Sequence, residues 1–428
     1  MDIPNTKYRT SQVPLTSDSN HAIIAWIHRR SLLTNQCCHE QTNVNIQDRS
    51  SRPTDRPLPS SQWRPLWSRL AILLAIFSVI TALTVRSLPG QLGGALSPSH
   101  GRRATGSPLA DGKFTPRTSR IHRRIPSLAH SGVYLGVSIF DVPPYMASLD
   151  RFEHLIRKRV AIVGLGRSMG GSASSLPWTW LQEIKNHGSV PLITWEPRNS
   201  DPGTDQTLYS LANIAKGRDD REINGWAREI RTWGRPVLIR FAHEMNGSWY
   251  PWGRQPKAFV AAWRHIHNVF VSDGATNAQW VWCPNTQWDA ASRFNAYYPG
   301  NSYVDWIALD AYNQPTNGTW MSLYQLLNLD SSYLAITSLT SKPLMIAETS
   351  SSEARVFPGY GNQSKAHWIT EAFTKDIPSM RRIRAIVWLN ENLQGPGRCC
   401  DWRIQSSPSA SRAFTQAVAS RRYLSRYP

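Results

Sequence analysis

The sequence predicts an α/β fold, a closed (β/α)8 barrel of the TIM type, over residues 132–428. Eight short apolar runs occur in under 300 residues, and stretches with helical spacing, such as Ala212 to Trp233, separate them. The predicted strands are Tyr134 to Phe140, Val160 to Leu165, Val190 to Trp195, Pro236 to Phe241, Ala278 to Cys283, Trp306 to Asp310, Pro343 to Ala347 and Ala385 to Leu389. Eight strand–helix units in this length favour a closed barrel over an open doubly wound sheet, which remains the structural alternative.

Three segments precede the predicted barrel. Residues 1–69 are polar and basic with no sustained periodicity, which predicts a disordered tail. Residues 70–88 contain 16 consecutive uncharged positions, Leu70 to Val85, which suits either a signal peptide or a short membrane anchor; a soluble core helix is the alternative. Residues 89–131 are a Gly, Ser, Pro and Arg linker. We therefore expect a monomeric extracytoplasmic domain that is secreted or tethered to a membrane through residues 70–88.

Charge and composition narrow the class of protein. The first 132 residues hold 17 Lys and Arg against 6 Asp and Glu, so more than half of the net charge of +19 lies before the barrel. No basic helix, RNA-binding aromatic motif or zinc-ligand spacing accompanies that charge, so the sequence predicts no nucleic-acid partner and no metal. The 19 tryptophans favour carbohydrate binding, because indole faces stack on sugar rings, although tryptophans also fill cores.

Glutamates follow four of the predicted strands. They are Glu196 after the third strand, Glu244 after the fourth, Glu348 after the seventh and Glu391 after the eighth. Retaining cleavage of a glycosidic bond needs two carboxyl groups about 5 to 5.5 Å apart. Because the fourth and seventh strands of an eight-stranded barrel face each other across its mouth, Glu244 and Glu348 are the geometrically suitable pair.

Six segments resemble glycoside hydrolase family 26, and they follow the order of that family from about Val133 to Ser420. They are PLITWEP, PVLIRFAHEMNGSWYPWG, WVWCPN, DWIALDAYN, PLMIAETS and AIVWLNEN. The family consists of (β/α)8 enzymes that include endo-β-mannanases, mixed-linkage β-glucanases and some β-xylanases. The resemblance implies a retaining hydrolase of β-linked polysaccharide, β-mannan or mixed-linkage β-glucan, that needs no cofactor.

The resemblance also implies roles for individual residues. Glu244 would be the general acid/base and Glu348 the nucleophile, with Tyr312 holding Glu348. Trp388 would form the stacking floor under the sugar at the cleavage point, and Trp249 would stack on a neighbouring ring. His243 would lie near the acid, and Asp310 would contact a sugar hydroxyl or a polar neighbour. Arg240 would brace the carboxylates from below. Asn246 and Asn285 would complete the pocket, and Trp195 with Glu196 would line the glycone side.

One region departs from the family pattern. Many mannanases of the family carry a histidine on an early loop near the glycone, and here the Gly- and Ser-rich stretch Arg167 to Ser175 occupies that region. The departure leaves mixed-linkage glucan and other β-glycans open as substrates beside mannan. A non-catalytic polysaccharide-binding protein on the same barrel is the alternative function, and the presence of both Glu244 and Glu348 disfavours it.

Overall fold

A computed structural model describes residues 132–171, 174–201, 206–315, 318–357, 359–395 and 400–428. The tail, the hydrophobic segment and the linker that the sequence predicts over residues 1–131 lie outside these ranges. Among the helices of the described ranges, none is both long and apolar enough to cross a membrane.

Eight parallel strands close into a barrel. Each strand pairs with its neighbours in chain order, and β1 pairs with both β2 and β8. The strands are β1 Val133–Ser138, β2 Ile162–Gly170, β3 Val190–Asn199, β4 Val237–Phe241, β5 Ala278–Trp282, β6 Trp306–Asn313, β7 Leu344–Ser351 and β8 Ile383–Leu389. A two-residue strand, β9 (Tyr423–Leu424), adds to β1 after the barrel has closed. The closed barrel is confirmed, and the open sheet is excluded.

Helices cover the outside of the barrel. They are α1 Met146–Ile156, α2 Trp178–His187, α3 Leu211–Ala215, α4 Asp220–Trp233, α5 Pro256–Ser272, α6 Leu323–Leu327, α7 Ser332–Leu339, α8 Lys365–Glu371, α9 Ile377–Ser379 and α10 Pro408–Val418. The connection from β5 to β6 differs from the predicted strand–helix unit, because it contains three 3-10 turns and no α-helix. Pro284, Pro299 and Gly300 interrupt this connection, and it lacks the apolar stripe of a packed helix.

Strand residues alternate between two apolar cores. Ile162, Leu192, Leu238 and Met345 belong to the inner core that fills the barrel. Their sequence neighbours pack outward against the helices. This alternation follows from the two-residue repeat of a strand. At least nine of the tryptophans are fully buried, so packing accounts for much of the tryptophan excess.

Polar side chains replace the apolar ones where the inner face reaches the C-terminal end of the barrel. Thr194, Arg240, Cys283, Asp310 and Glu348 are all buried there, and hydrogen bonds join them to one another. The C-terminal face of a barrel is where TIM-barrel enzymes hold their active sites.

Candidate active site

A β-bulge turns Glu348 into the barrel. Leu309 of β6 pairs with Ile346 of β7, but the next residue, Asp310, pairs with Glu348. The extra residue is Ala347, which belongs to the inner core. Strict alternation would therefore send Glu348 outward, and the bulge restores its inward direction.

Two donors hold the Glu348 carboxylate. The Tyr312 hydroxyl donates to Oε2 at 2.6 Å, as the resemblance predicts, and Arg240 donates through Nη2 to Oε1 at 2.5 Å. Glu348 is only 7% exposed. A guanidinium and a phenol that both donate to a carboxylate favour its ionised form, which is the form that a nucleophile needs.

Arg240 lies beneath the carboxylates and joins three strands. Its guanidinium pairs with Asp310 at 3.0 Å and donates to the Thr194 hydroxyl at 3.1 Å, in addition to its contact with Glu348. Burial disfavours the charged guanidinium, but Asp310 and Glu348 together hold the pKa of Arg240 well above its ordinary value. Asp310 is itself fully buried and also accepts a hydrogen bond from the Cys283 thiol. Of the two roles predicted for Asp310, the structure therefore shows the contact with polar neighbours.

A strained turn after β4 positions Glu244. Ala242 and Glu244 both have left-handed backbone angles, with φ of +43° and +53°, and the Glu244 amide donates to the Cys283 carbonyl at 2.8 Å. Left-handed conformations cost non-glycine residues roughly 1–3 kcal/mol, and such strain concentrates at functional sites. The turn brings Glu244 from the end of β4 to the end of β5.

Neutral donors hold the Glu244 carboxyl group. The Trp249 indole donates to Oε2 and the Asn285 amide to Oε1, each at 2.7 Å. Burial raises the pKa of Glu244, and the charge of Glu348 raises it further, while the two donors and Arg240 oppose the shift. The net shift is upward, which favours the protonated carboxylic acid that a proton donor needs.

Asn246 and His243 support the site from below. Asn246 is fully buried, and its amide bonds to the backbone of Asn285 and Ser292. Asn246 therefore positions Asn285, whose side-chain amide donates to Glu244. His243 is also fully buried, and its Nε2 lies 2.9 Å from the Tyr250 hydroxyl. Neither side chain reaches the cleft, so both position other groups.

Two stacked tryptophans border Glu244. The rings of Trp249 and Trp288 lie 5.4 Å apart at an interplanar angle of 25°, and both are half-buried. The Arg254 guanidinium lies over the Trp288 ring at 5.3 Å. Trp288 was not among the residues that the sequence predicts for the site. Its position shortly after β5, in a connection without a helix, was the available signal.

The structure contradicts the predicted positions of Trp388 and Trp195. Trp388 is fully buried among the helices, 5.2 Å from the ring of Phe414, and Trp195 stacks on Trp226 of α4 at 4.6 Å. Both residues occupy outward positions of their strands, because strand alternation turns each of them away from the barrel axis. Neither ring can form the floor or wall of a sugar site.

Trp402 lies beside Tyr312, the residue whose hydroxyl donates to Glu348. Its ring packs on Tyr312 at 5.1 Å and shares a small cluster with Phe140 and Leu389 at the end of the barrel. The sequence analysis missed Trp402 because it belongs to the loop after β8 and not to a strand.

Three predicted features remain, which are Glu391, Glu196 and the stretch Arg167 to Ser175. Glu391 accepts a hydrogen bond from the Phe140 amide, which ties the loop after β8 to the end of β1. Glu196 is buried and pairs with Arg198 at 2.6 Å. The stretch Arg167 to Ser175 begins as strand and not as loop, since β2 continues to Gly170.

The fold and the site together define a class of protein. A TIM barrel whose fourth and seventh strands each deliver a buried glutamate to its C-terminal end has the arrangement of the glycoside hydrolase class. Among the described residues, no group of three His, Cys, Asp or Glu side chains is placed to hold a metal ion.

Comparison with known proteins places the chain within that class. Residues 209–375 match the family model of glycosyl hydrolase family 26, and the chain belongs to this family. It is 32% identical over 303 residues to endoglucanase H of Acetivibrio thermocellus, a match that covers 68% of this chain and 31% of that protein. It is 28% identical over 165 residues to mannan endo-1,4-beta-mannosidase A and B of Caldalkalibacillus mannanilyticus, covering 36% of this chain and 28% of that protein. The chain thus spans less than a third of the length of either relative.

A solved structure shows the same fold. The β-mannanase of Bacteroides ovatus superimposes with a TM-score of 0.53 at 14% identity, over 69% of this chain and 91% of that chain.

Proposed function

We propose that this protein is a retaining glycoside hydrolase that cleaves β-linked polysaccharide of the mannan or mixed-linkage glucan class. The observation that carries the proposal is the contrast between its two glutamates. Glu348 is held by a guanidinium and a phenol, whereas Glu244 is held by an indole and a carboxamide. The names of the two relatives, an endoglucanase and a mannan endo-1,4-beta-mannosidase, support glucan and mannan as substrate classes.

The proposed reaction has two steps. In the first, a Glu348 oxygen bonds to the anomeric carbon, the glycosidic bond breaks, and the leaving oxygen takes the proton of Glu244. In the second, water gives a proton to Glu244 and attacks the anomeric carbon, which releases the Glu348 carboxylate. Tyr312 and Arg240 hold Glu348 in place in the free enzyme.

The electrostatics of the site fit this exchange of roles. The charge of Glu348 raises the pKa of Glu244 in the free enzyme. Once Glu348 has become an ester that charge is gone, so the pKa of Glu244 falls. Glu244 is thereby an acid in the first step and a base in the second.

The test uses the full chain with mannan, lichenan and xylan, with reducing ends as the measure of cleavage and NMR of the first product as the measure of its anomeric form. We expect retention of configuration with mannan or lichenan. Glu348→Ala should be inactive and, with azide and an activated aryl β-glycoside, should form the α-glycosyl azide, since azide enters from the nucleophile's side. Inversion, no cleavage by the wild type, or an active Glu348→Ala would overturn the proposal.

We also propose that the protein is an extracytoplasmic monomer, secreted or anchored through residues 70–88. The uncharged run Leu70 to Val85 supports this location. Fractionation of the source cells should find the chain in the medium or the membrane pellet. A cytosolic chain would contradict the proposed location without affecting the proposed activity.

A further inference from the structure

Lys365 is a fully buried lysine to which the proposed reaction gives no role. It is the first residue of α8, where the positive end of the helix dipole disfavours a cation. Burial lowers its pKa to about 7, because water no longer solvates the charge. A methionine of similar length would fill the same space without that cost, so packing does not account for a lysine at this position.

Every acceptor that Lys365 has within the described ranges belongs to the loop after β8. Its Nζ donates to the Asp401 carbonyl at 3.0 Å, to the Arg403 carbonyl at 2.6 Å and to the Ser406 hydroxyl at 3.2 Å. These three acceptors use the three protons of an ammonium group. Two of them are the carbonyls on either side of Trp402 in the chain, so Lys365 fixes the backbone that carries this ring.

Two carboxylates and one guanidinium face the buried ammonium group. Glu353, which follows β7, and Asp401 favour the charged form, and Arg403 opposes it. The Trp388 ring of β8 lies 5.8 Å from the lysine Nζ, a distance at which an aromatic face attracts a cation. Glu353 also accepts a hydrogen bond from the Ser406 hydroxyl at 2.6 Å. The charges and contacts around the lysine therefore join the ends of β7 and β8.

The backbone of Trp402 is tied to the barrel as well. Its amide donates to the Glu391 carbonyl at 2.7 Å, and its carbonyl accepts from the Ser350 hydroxyl at 2.8 Å and the Trp388 indole at 3.0 Å. These bonds hold the residue itself, and those of Lys365 hold the residues before and after it. Together they give the Trp402 side chain a single direction.

That direction is toward the group that holds the nucleophile. The Trp402 ring packs on Tyr312 with 5.1 Å between the ring centroids, and the Tyr312 hydroxyl donates to Glu348 Oε2 at 2.6 Å. A hydrogen bond weakens steeply when its donor moves out of line, so the phenol must stay within narrow limits. A shift of the loop after β8 would therefore weaken the contact that aligns Glu348.

We propose that Lys365 is a positioning residue for the nucleophile and acts through Trp402 and Tyr312. Its ammonium group keeps the two neighbours of Trp402 in place. The Trp402 ring in turn keeps Tyr312 in place, and Tyr312 keeps Glu348 aligned with the anomeric carbon. Lys365 itself takes no part in the chemistry. This inference deepens the proposed function and rests on it.

The test compares Lys365→Met with Lys375→Met, which alters an exposed lysine ten positions further along the chain that pairs with Glu371. The substrate is the polysaccharide that the wild type cleaves, and the assay is run at about pH 6, where Lys365 is protonated. Lys365→Met should lower kcat by about threefold to tenfold and leave KM within about twofold, because alignment of the nucleophile matters most in the transition state. Lys375→Met should change neither constant.

A milder variant covers the case in which Lys365→Met does not fold. Ser406→Ala removes one of the three acceptors and should lower kcat by about twofold to threefold in the same assay. Melting curves of each variant establish whether it is folded. The outcomes given below for Lys365→Met then apply to Ser406→Ala.

A double-variant cycle shows whether the effect passes through Trp402. Trp402→Ala removes the ring that packs on Tyr312, so adding Lys365→Met to it should lower kcat by less than about twofold more. Fluorine NMR of fluorotryptophan-labelled protein supplies a readout that needs no activity. The resonance that is missing in Trp402→Phe belongs to Trp402, and it should shift or broaden in Lys365→Met but not in Lys375→Met.

The failures of the two proposals are distinguishable. If the wild type cleaves no polysaccharide, the proposed function fails, and the Trp402 resonance alone tests the positioning by Lys365. If the wild type is active, an unchanged kcat in folded Lys365→Met overturns the positioning role. An unmoved Trp402 resonance overturns it too, as does a loss of kcat that is as large in the Trp402→Ala background as in the wild type.

Discussion

The indole of Trp249 should set the upper pH limit of activity. Its Nε1 donates to Glu244 Oε2 at 2.7 Å and opposes the upward shift of the Glu244 pKa. A hydrogen bond to a charged group contributes about 1.5–3 kcal/mol, and the protonated acid retains part of that interaction. Since one pKa unit corresponds to about 1.4 kcal/mol, Trp249→Phe should raise the pKa of Glu244 by about 1 unit.

The assay is the pH dependence of kcat/KM, whose alkaline limb reports the acid that must be protonated in the free enzyme. Because the variant holds its proton to higher pH, that limb should move upward by about 1 unit. Trp288→Phe is the matched control, since it removes the stacked neighbour and leaves the hydrogen bond to Glu244 intact. An alkaline limb that stays in place or moves downward in Trp249→Phe would refute the reasoning, whatever the change in KM.

Three further predictions concern stability and the cleft. Arg240→Leu leaves two buried carboxylates without their cation and should lower the free energy of unfolding in urea by about 3–5 kcal/mol. The control, Arg254→Leu, breaks a partly exposed ion pair and should lower it by less than about 1 kcal/mol. Equal losses in the two variants would contradict the bracing role of Arg240. Trp388→Ala and Trp402→Ala should both lower the free energy of unfolding, because both rings are buried, by about 3–5 kcal/mol for the fully buried Trp388. Only Trp402→Ala, which removes the ring packed on Tyr312, should also reduce kcat/KM of the folded enzyme, and a loss of kcat/KM in folded Trp388→Ala alone would place Trp388 in the cleft. Burial lowers the pKa of Lys365 to about 7, although the charges of nearby carboxylates oppose the shift. Between about pH 7 and 10.5 this lysine therefore binds a proton in the unfolded chain but not in the folded one. The free energy of unfolding should rise with pH over that range by up to about 1.4 kcal/mol per pH unit. Urea titrations at pH 7, 8 and 9 should show that Lys365→Met lacks this slope, and an unchanged slope would assign it to other groups.

The barrel was predictable because its signal is local. A run of β-branched and aromatic residues predicts each strand, and the order of strands around a (β/α)8 barrel follows their order in the chain. The exception was the connection from β5 to β6, where no periodicity exists to predict the 3-10 turns. Strand ends were less predictable, and β2 and β3 extend four or five residues beyond their apolar runs.

The candidate site was predictable in part. Position at a strand end identified Glu244 and Glu348, and the family resemblance supplied Tyr312 as the donor to Glu348. The same reasoning failed for Trp388 and Trp195. A residue at the end of a strand points inward or outward according to its parity, and both of these point outward.

By itself, the sequence determined which residues form strands and which strand ends carry carboxyl groups, because both depend on neighbours within a few positions. Only the tertiary structure decided which side chains meet. The bulge at Ala347 turns Glu348 inward against the strand repeat, the turn after β4 brings Glu244 to Asn285, and the loop after β8 places Trp402 beside Tyr312. Each of these contacts depends either on a one-residue irregularity that reverses the direction of a side chain or on residues that lie far apart in the chain. Such features leave no periodic signal in the amino-acid sequence.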